Sequence, residues 1–194
     1  MQIYKICLKF TEPLLGGVPK DRELYASYLQ NKVDKSQKVE RELKTVEEIE
    51  EKNWTGFHML NGKPILYDYV IKGFFKDACS MLRRDTKSES YKLKAHKRVI
   101  DGLIFVFPRM IEISTNGGEM GVLERSLRAQ TAQGERITLA RSDLCPAGSE
   151  INIEIRIIGG VSKKLLKEWL GYGQLRGIGQ WRNGSYGRFE YSMR

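Results

Sequence analysis

Residues 175–191, near the end of the chain, combine the residue types best suited to contact with a polyanion. Glycines, arginines and aromatic residues alternate over this stretch: Gly177, Gly179, Gly184, Gly187, Arg176, Arg182, Arg188, Asn183, Trp181 and Tyr186. Glycine has no Cβ atom, so its backbone N–H group can lie against a bulky partner. Arginine binds phosphate oxygens through a planar fork of donors, and aromatic rings stack on bases. The stretch, called the glycine-rich segment below, therefore favours binding of a nucleic-acid backbone.

A structural interpretation of the glycine-rich segment stays open beside the functional one. A tight turn before an edge strand also needs glycines, and its arginines would then lie in solvent. The same choice applies to Trp181, whose indole either stacks on a base or packs in the core beneath the loop.

The charge of the chain supports a polyanionic partner. Its 194 residues carry a formal net charge of +9, which attracts nucleic acid first and an anionic membrane surface second. No apolar run approaches the roughly 20 residues that span a bilayer, and residues 2–10 alternate instead of forming a signal-peptide core. A cytoplasmic protein without a membrane partner is predicted.

Residues suited to metal or redox chemistry are few. Cys7, Cys79 and Cys145 are far apart, with no CxxC spacing and no neighbouring histidine. Disulfides and zinc sites are therefore disfavoured, and three buried thiols are expected. No metal and no cofactor is predicted.

Ribonuclease activity would need an acid or base beside a 2′-hydroxyl group, and histidine is a common choice. The chain has two histidines, His58 and His96. His58 follows Phe57 in a predicted hairpin and is expected to be structural, whereas His96 lies in the basic run 92–98 and is expected at the surface. No catalytic residue is predicted, and a metal-independent endoribonuclease remains the alternative.

The elements that position these residues follow from hydrophobic periodicity. Residues 2–10 alternate as a half-buried strand, and residues 11–20, with two prolines and a Gly-Gly pair, predict an exposed loop. Asp21 is expected to cap a short helix that ends near Leu29. Residues 31–44 resemble a charged insertion, and Thr45 with Glu48 fits a capping box.

Further along, the spacing predicts a regular series of elements. Asn61-Gly62 predicts a hairpin within residues 55–66. Helices are predicted over 69–84, which carries Lys72, and over 163–172 after a Ser162 cap. The predicted strands cover 103–107, 110–113, 122–128, 136–141, 150–158 and 186–191. A second basic group lies on the middle pair of strands, facing either a ligand or solvent: Arg125, Arg128 and Arg141.

Without its insertions, the chain has the order strand, helix, strand, strand, helix, strand. This is the α+β ferredoxin-like plan, also called RRM-like, with an antiparallel sheet whose first and third strands are central. Hairpins and helices are inserted into this core, and the glycine-rich segment leads into its last strand.

Four segments resemble, in order, the RAMP superfamily, which includes crRNA-binding backbone subunits and crRNA-processing ribonucleases of CRISPR systems. They are residues 13–17, residues 64–76 with Lys72 and Gly73 at the family's Lys-Gly positions, residues 145–155, and residues 177–189 with their ending Tyr186-Gly187-Arg188-Phe189. The chain also resembles stand-alone RAMP-like proteins of phages and prophages. It departs from the backbone subunits at Tyr67-Asp68-Tyr69-Val70, where they have Pro-Gly-Ser-Ser.

The resemblance implies one RAMP-like domain over residues 1–194, with insertions at about 21–66 and 85–141. It implies single-stranded RNA or a nucleotide as partner, bound by the glycine-rich segment and the adjoining sheet face. The three arginines of the segment would contact phosphates, with Trp181 or Tyr186 stacking on a base and Lys72 within reach of the same backbone.

The resemblance also leaves alternatives for catalysis and partners. Asp21 lies where type III backbone subunits carry a cleaving aspartate, and its other interpretation is the helix cap. The chain would self-associate, join a CRISPR or host protein complex, or act as an anti-defence protein that blocks such a complex by protein binding.

Overall fold

The protein is described by a computed structural model over residues 1–20, 54–131 and 134–194, with the side chains of residues 127–138 outside the description. The predicted helix capped by Asp21, the insertion at 31–44 and the capping box at Thr45 lie outside the described residues. In chain order the elements are β1 (Gln2–Phe10), β2 (Leu14–Leu15), β3 (Val18–Pro19), β4 (Trp54–Gly56), β5 (His58–Leu60), β6 (Lys63–Tyr67), α1 (Asp68–Leu82), α2 (Glu89–Lys92), α3 (His96–Leu103), β7 (Ile104–Phe107), β8 (Met110–Glu112), β9 (Gly121–Thr131), β10 (Gly134–Cys145), β11 (Glu150–Ile157), α4 (Lys163–Arg176), a 3₁₀ turn (Arg182–Gly184) and β12 (Phe189–Met193).

The main sheet has four strands in the order β12–β1–β11–β7, and every neighbouring pair is antiparallel. β1 and β11 pair from Gln2 opposite Ile157 to Lys9 opposite Glu150. The first and third strands of the predicted plan are therefore the central ones. The α+β, ferredoxin-like fold class predicted from the order of elements is confirmed.

Helices α1 and α4 pack on one face of the main sheet because alternate residues of its central strands are apolar. Ile6 on β1 and Ile153 on β11 belong to one buried cluster with Phe75 of α1 and Trp169 of α4. The rings of Phe75 and Trp169 lie 5.5 Å apart, centroid to centroid. Burial of this apolar surface is the main favourable contribution to folding. None of the helices in the described ranges is long and apolar enough to cross a membrane.

The expectation of an exposed loop at residues 11–20 is wrong. Leu14 and Leu15 form β2, are fully buried and pair with β10, where Leu14 lies opposite Cys145. Val18–Pro19 forms β3, which pairs with β4. Prolines are tolerated there because a strand of two residues at a sheet edge has few ladder hydrogen bonds to lose.

These short strands belong to a second sheet, with the order β2–β10–β4–β3 and with β9 paired to β10. The predicted strand pair at 122–128 and 136–141 is confirmed as β9 and β10, which extend beyond it to Gly121 and Cys145. A third sheet has the order β5–β6–β8. Its hairpin confirms the predicted turn, because Asn61 and Gly62 both adopt positive φ, at 51° and 78°.

Helix α4 begins as predicted, with the Ser162 hydroxyl oxygen accepting a hydrogen bond from the Leu165 N–H group at 3.2 Å. It ends at Arg176, four residues beyond its predicted end, because Gly177 is the first residue to leave helical geometry, with φ of 80°. The last strand starts at Phe189, later than predicted, because Ser185 and Gly187 adopt left-handed conformations that a strand excludes.

Gly173 of α4 allows the helix to lie directly on the last strand. A Cβ atom at this position would overlap the Phe189 ring and lie 2.7 Å from Cζ of Phe74. We therefore expect Gly173→Ala to lower the free energy of unfolding by roughly 2 kcal/mol, as overpacked cores do. Urea denaturation measures the change.

Gly171, in the same helix, provides the matched control. Nothing lies within 4 Å of a Cβ atom built there, so Gly171→Ala should raise the free energy of unfolding by roughly 0.5–1 kcal/mol through helix propensity alone. A similar loss of stability in both variants would contradict this account of the packing.

Candidate nucleic-acid interface

The glycine-rich segment forms a loop whose two ends are joined by a backbone hydrogen bond. The Ile178 N–H group donates to the Gly187 carbonyl oxygen at 2.9 Å, and the Gly187 N–H group donates to the carbonyl oxygen of Pro13 at 2.8 Å. Both Gly177 and Gly187 have positive φ, and a Cβ atom at either would overlap backbone across the loop. Glycine is required at these two positions by the close approach of one chain end to the other.

Two arginines of the segment converge on one carboxylate of α1. Nη1 of Arg182 lies 2.7 Å from Oδ2 of Asp77, and Nε of Arg176 lies 3.8 Å from the same oxygen. Arg176 also donates a hydrogen bond to Oδ1 of Asn183. One negative charge thus faces two positive charges, and the three side chains of the ion pairs are only partly exposed. The cluster is held by these contacts and keeps an excess of positive charge.

The aromatic residues of the segment form a pair with a third arginine. The rings of Trp181 and Tyr186 lie 6.3 Å apart at an interplanar angle of 70°. The guanidinium carbon of Arg125, from β9, lies 5.7 Å from the Trp181 centroid and 5.8 Å from the Tyr186 centroid. Such cation–π geometry positions the guanidinium group while leaving its N–H donors free to bind an anion. Arg125 is exposed, and both rings are half-buried.

The other predicted basic residues are Arg188, Arg141 and Arg128. The Arg188 carbonyl oxygen accepts the Thr11 N–H group at 2.9 Å, and Nε of Arg188 is buried with no hydrogen-bond partner among the described residues. Nε of Arg141 lies 2.8 Å from the Glu124 carboxylate. Arg128 lies in β9, and its side chain is outside the description.

Lys72 does not belong to the cluster. Its Nζ donates to the Asp101 carbonyl oxygen at 3.3 Å and lies 5.2 Å from the Phe105 ring centroid. Phe105 lies on β7, the edge of the main sheet opposite β12, into which the segment leads. Lys72 therefore lies toward the edge of the main sheet opposite the segment. Its contact with the same RNA backbone stays a prediction.

The segment adjoins α1 and the second sheet rather than the open face of the main sheet. The Oγ1 atom of Thr55, on β4, lies 3.1 Å from Oε1 of Gln180. A Cβ atom at Gly179 would lie 3.1 Å from Cδ1 of Leu14 on β2. The open face of the main sheet mixes charges of both signs: Lys5, Lys9, Arg156 and Arg194 with Glu150, Glu154 and Glu190. Positive charge is therefore less concentrated on this face than at the segment.

Sequence reasoning missed a tryptophan site beside β10. Nζ of Lys20 lies 4.1 Å from the Trp54 ring centroid, and the guanidinium carbon of Arg141 lies 5.9 Å from it. The Trp54 Nε1–H group donates to Oδ1 of Asp143 at 2.8 Å. Sequence patterns give no signal for this site, because its four residues come from three separate parts of the chain.

His96 is buried, and the expectation of a surface position is wrong. Nη1 of Arg83 donates to Nδ1 of His96 at 2.9 Å, so the neutral ring carries its proton on Nε2, which lies 2.8 Å from the Ser80 hydroxyl oxygen. Burial, followed by the charges of Arg83 and Lys97, lowers the pKa of His96 below its ordinary value of 6.5. A ring with both nitrogens occupied is poorly suited to act as a general base.

The other candidates for chemistry lie apart from the segment. The His58 ring meets the Tyr67 ring edge-on at 4.9 Å, and Tyr67 stacks on Tyr69 at 5.4 Å. Cys79 and Cys145 are buried, and burial raises the pKa of Cys145 to about 12. Cys7 is only half-buried, contrary to expectation. Asp21 lies outside the described residues, and among those described no cluster of three His, Cys, Asp or Glu side chains could hold a metal ion.

Comparison with known proteins relates the fold to subunits of CRISPR complexes. No family model and no curated protein matches the chain. A chain of the Type III-B Cmr-beta complex bound to cognate target RNA, solved by cryo-EM, matches with a TM-score of 0.54 at 13% identity, over 99% of this chain and 59% of that chain. A chain of a Type IV-B CRISPR complex matches with a TM-score of 0.50 at 9% identity, over 100% of this chain and 90% of that chain.

These likenesses show that the chain shares its fold with chains of two CRISPR complexes. The chain spans about three fifths of the length of the Cmr-beta chain that it matches. The resemblance inferred from four sequence segments is thereby confirmed at the level of the fold.

The buried histidine generates a pH prediction. The unfolded chain takes up a proton at His96 near pH 6.5, whereas the folded chain resists protonation. Stability contributed by the neutral ring is therefore lost as the pH falls through 6.5 toward the lower folded value.

We expect the free energy of unfolding of the wild type to fall more steeply than that of His96→Gln between about pH 7.5 and 5.5. Urea denaturation across this range measures the difference, and carboxylates that titrate at lower pH contribute equally to both proteins. Parallel pH profiles for the two proteins would contradict the burial of a neutral ring.

Proposed function

We propose that the chain is an RNA-binding module that holds single-stranded RNA through the glycine-rich segment and Arg125. The observation that carries the proposal is the convergence of Arg176 and Arg182 on the single carboxylate of Asp77. A cluster of two guanidinium groups and one carboxylate retains a positive charge, and a phosphate group would complete its neutralisation.

The aromatic pair supplies the second half of the site. Trp181 and Tyr186 lie beside the arginine cluster in the chain, and Arg125 lies against both rings. A base stacked on an aromatic face contributes roughly 1–3 kcal/mol and is read with little sequence preference. Phosphate binding and stacking together suit a flexible single strand better than a duplex, whose bases are already stacked.

The fold supports a role in a CRISPR-type assembly. Both matched structures are CRISPR complexes, and one is described as bound to its target RNA. We infer that RNA and a protein complex are the partners of this chain too, either in an assembly of this kind or, for a phage-encoded protein, against one.

Two alternatives make different predictions. A metal-independent ribonuclease that used His58 would cleave RNA in the presence of a chelator, and His58→Ala would abolish cleavage. An anti-defence protein would bind a protein partner with an affinity that depends little on salt. RNA binding through phosphates instead weakens steeply with salt. Each phosphate contact with a single strand adds about 0.7 to the steepness of the fall of log affinity with log salt concentration.

Arg125→Ala tests the interface directly. We expect roughly tenfold weaker binding of single-stranded RNA, because one phosphate contact and one support of the stacking rings are lost. Fluorescence anisotropy with labelled oligouridine measures the affinity, and circular dichroism checks the fold. Arg156→Ala, on the open face of the main sheet, removes the same charge and should leave the affinity unchanged; equal losses would contradict the site.

Asp77→Asn tests the shared carboxylate. We expect RNA affinity to rise roughly threefold, because the substitution releases both arginines for phosphate, while stability falls with the loss of the ion pairs. Asp101→Asn is the control, since it removes a carboxylate of α3 that pairs, at 2.5 Å, with Lys76, the neighbour of Asp77 in α1. If both variants raise the affinity equally, net charge rather than the cluster decides binding; if Asp77→Asn lowers it, the arginines are structural.

A further inference from the structure

Helix α4 links the glycine-rich segment to a second basic surface. Its first turns expose Lys163, Lys164 and Lys167, and its last residue, Arg176, belongs to the segment. At a rise of 1.5 Å per residue, the two ends of the helix lie roughly 20 Å apart. The two basic regions therefore lie at opposite ends of one helix.

Helix α2 meets the first turns of α4, and α3 lies beside the turn that precedes α4. The Glu168 carboxylate accepts the N–H groups of Glu89 and Ser90 at 2.8 and 3.0 Å, which fixes α2 on α4. Oε1 of Glu89 then lies 2.8 Å from Nζ of Lys164 and 3.3 Å from Nζ of Lys92. A Cβ atom at Gly160, in the turn before α4, would lie 3.0 Å from Val99 of α3.

The resulting α2–α3–α4 surface is rich in uncompensated charge. Residues 83–98 include seven basic and two acidic residues, a net charge of +5 within a chain of +9. The acidic groups here are Asp85, Glu89, Asp101 and Glu168. Glu89 and Glu168 are already bound as described above, and Asp101 pairs with Lys76 of α1. Among the described residues no ion pair is made by the exposed side chains of Lys94, Lys97 and Lys167.

Gly171 is partly exposed and lies on a face of α4 between the two basic regions. The face follows the helical repeat through Lys163, Lys167, Gly171 and Gln174. A glycine within a helix lowers stability, and here no packing inside the described protein requires it, since nothing lies within 4 Å of an added Cβ atom. Gly173, by contrast, is required by Phe189. The bare backbone at Gly171 leaves room for a partner to approach the helix closely.

We propose that an RNA strand bound at the glycine-rich segment continues along α4, passes over Gly171 and reaches the lysines of the α2–α3–α4 surface. The inference rests on the proposed function and specifies its ligand as an extended single strand rather than a nucleotide. Lysines act there as point charges for phosphates, without reading sequence. The adjacent Leu175, 72% exposed, offers an apolar contact for a base along the path.

Oligonucleotides of two lengths distinguish binding at the glycine-rich segment from binding that continues along α4. Fluorescein-labelled oligouridines of about 4 and 12 nucleotides span the range of single-strand site sizes. We expect wild-type protein to bind the longer oligonucleotide more tightly. The triple variant Lys94→Ala/Lys97→Ala/Lys167→Ala should bind the longer one roughly tenfold more weakly, and the slope of log affinity against log salt concentration should be shallower by about 2. Its affinity for the shorter one should be unchanged.

A control triple variant removes the same charge elsewhere. Lys5→Ala/Lys9→Ala/Lys63→Ala changes exposed lysines of β1 and β6, outside the proposed path, and should affect neither oligonucleotide. An equal loss of affinity in both triple variants would show that net charge alone attracts RNA and would overturn the path.

Gly171 supplies a test that does not depend on charge. Gly171→Ala should raise the thermal unfolding midpoint by about 2 °C, and Gly171→Gln should keep the helix while placing a longer side chain on the path. We expect both to leave the shorter oligonucleotide unaffected and Gly171→Gln to weaken the longer one several-fold. Unchanged binding of the longer oligonucleotide by Gly171→Gln would overturn the path across α4.

The remaining outcomes distinguish this inference from the proposed function. If wild type binds both lengths equally while Arg125→Ala weakens both, RNA binding at the segment stands and its extension is wrong. If Arg125→Ala and Arg182→Ala change neither length, the segment is not an RNA site and both proposals are wrong. If polyglutamate displaces the longer oligonucleotide as well as unlabelled oligouridine does, the surface fits an acidic protein and the RNA assignment is overturned.

Discussion

The sharing of the Asp77 carboxylate by two guanidinium groups links the candidate site to the core. Asp77 belongs to α1, whose other side packs on the main sheet through Phe74 and Phe75. Its ion pairs with Arg176 and Arg182 fix the end of α4 and the 3₁₀ turn relative to that helix. Because one carboxylate cannot neutralise two cations, the same contact that orders the segment leaves it attractive to an anion.

The glycines of the segment support this arrangement because they allow neighbouring parts of the protein to approach each other closely, not because they make the loop flexible. Gly177 and Gly187 bring the two ends of the loop into contact, and Gly173 brings the last strand against α4. The loop is thus a defined structure closed by backbone hydrogen bonds. A preformed site of this kind loses less conformational entropy on binding than a flexible one.

The fold and the site carry different kinds of information. The matches to CRISPR subunits extend over 99% and 100% of this chain at only 13% and 9% identity. A ferredoxin-like sheet needs only alternating apolar residues and two helices with an apolar face, which many sequences provide. The function therefore depends on the charges, rings and helix surfaces that this chain places on the fold.

The sequence by itself determined the elements whose signals are local. Alternation over residues 2–10, helical spacing in α1 and the Asn61-Gly62 turn predicted β1, α1 and the third-sheet hairpin, and their order predicted the fold. Only the tertiary structure decided which side chains meet. β2 forms because Leu14 pairs with Cys145, and Arg125 joins the aromatic pair because β9 extends beside the loop. His96 is buried because Ser80 and Arg83 of the preceding helical region accept and supply its hydrogen bonds. Hydrophobic periodicity predicts which face of its own helix or strand a residue lies on. Contacts with residues distant in the chain depend on how the elements pack.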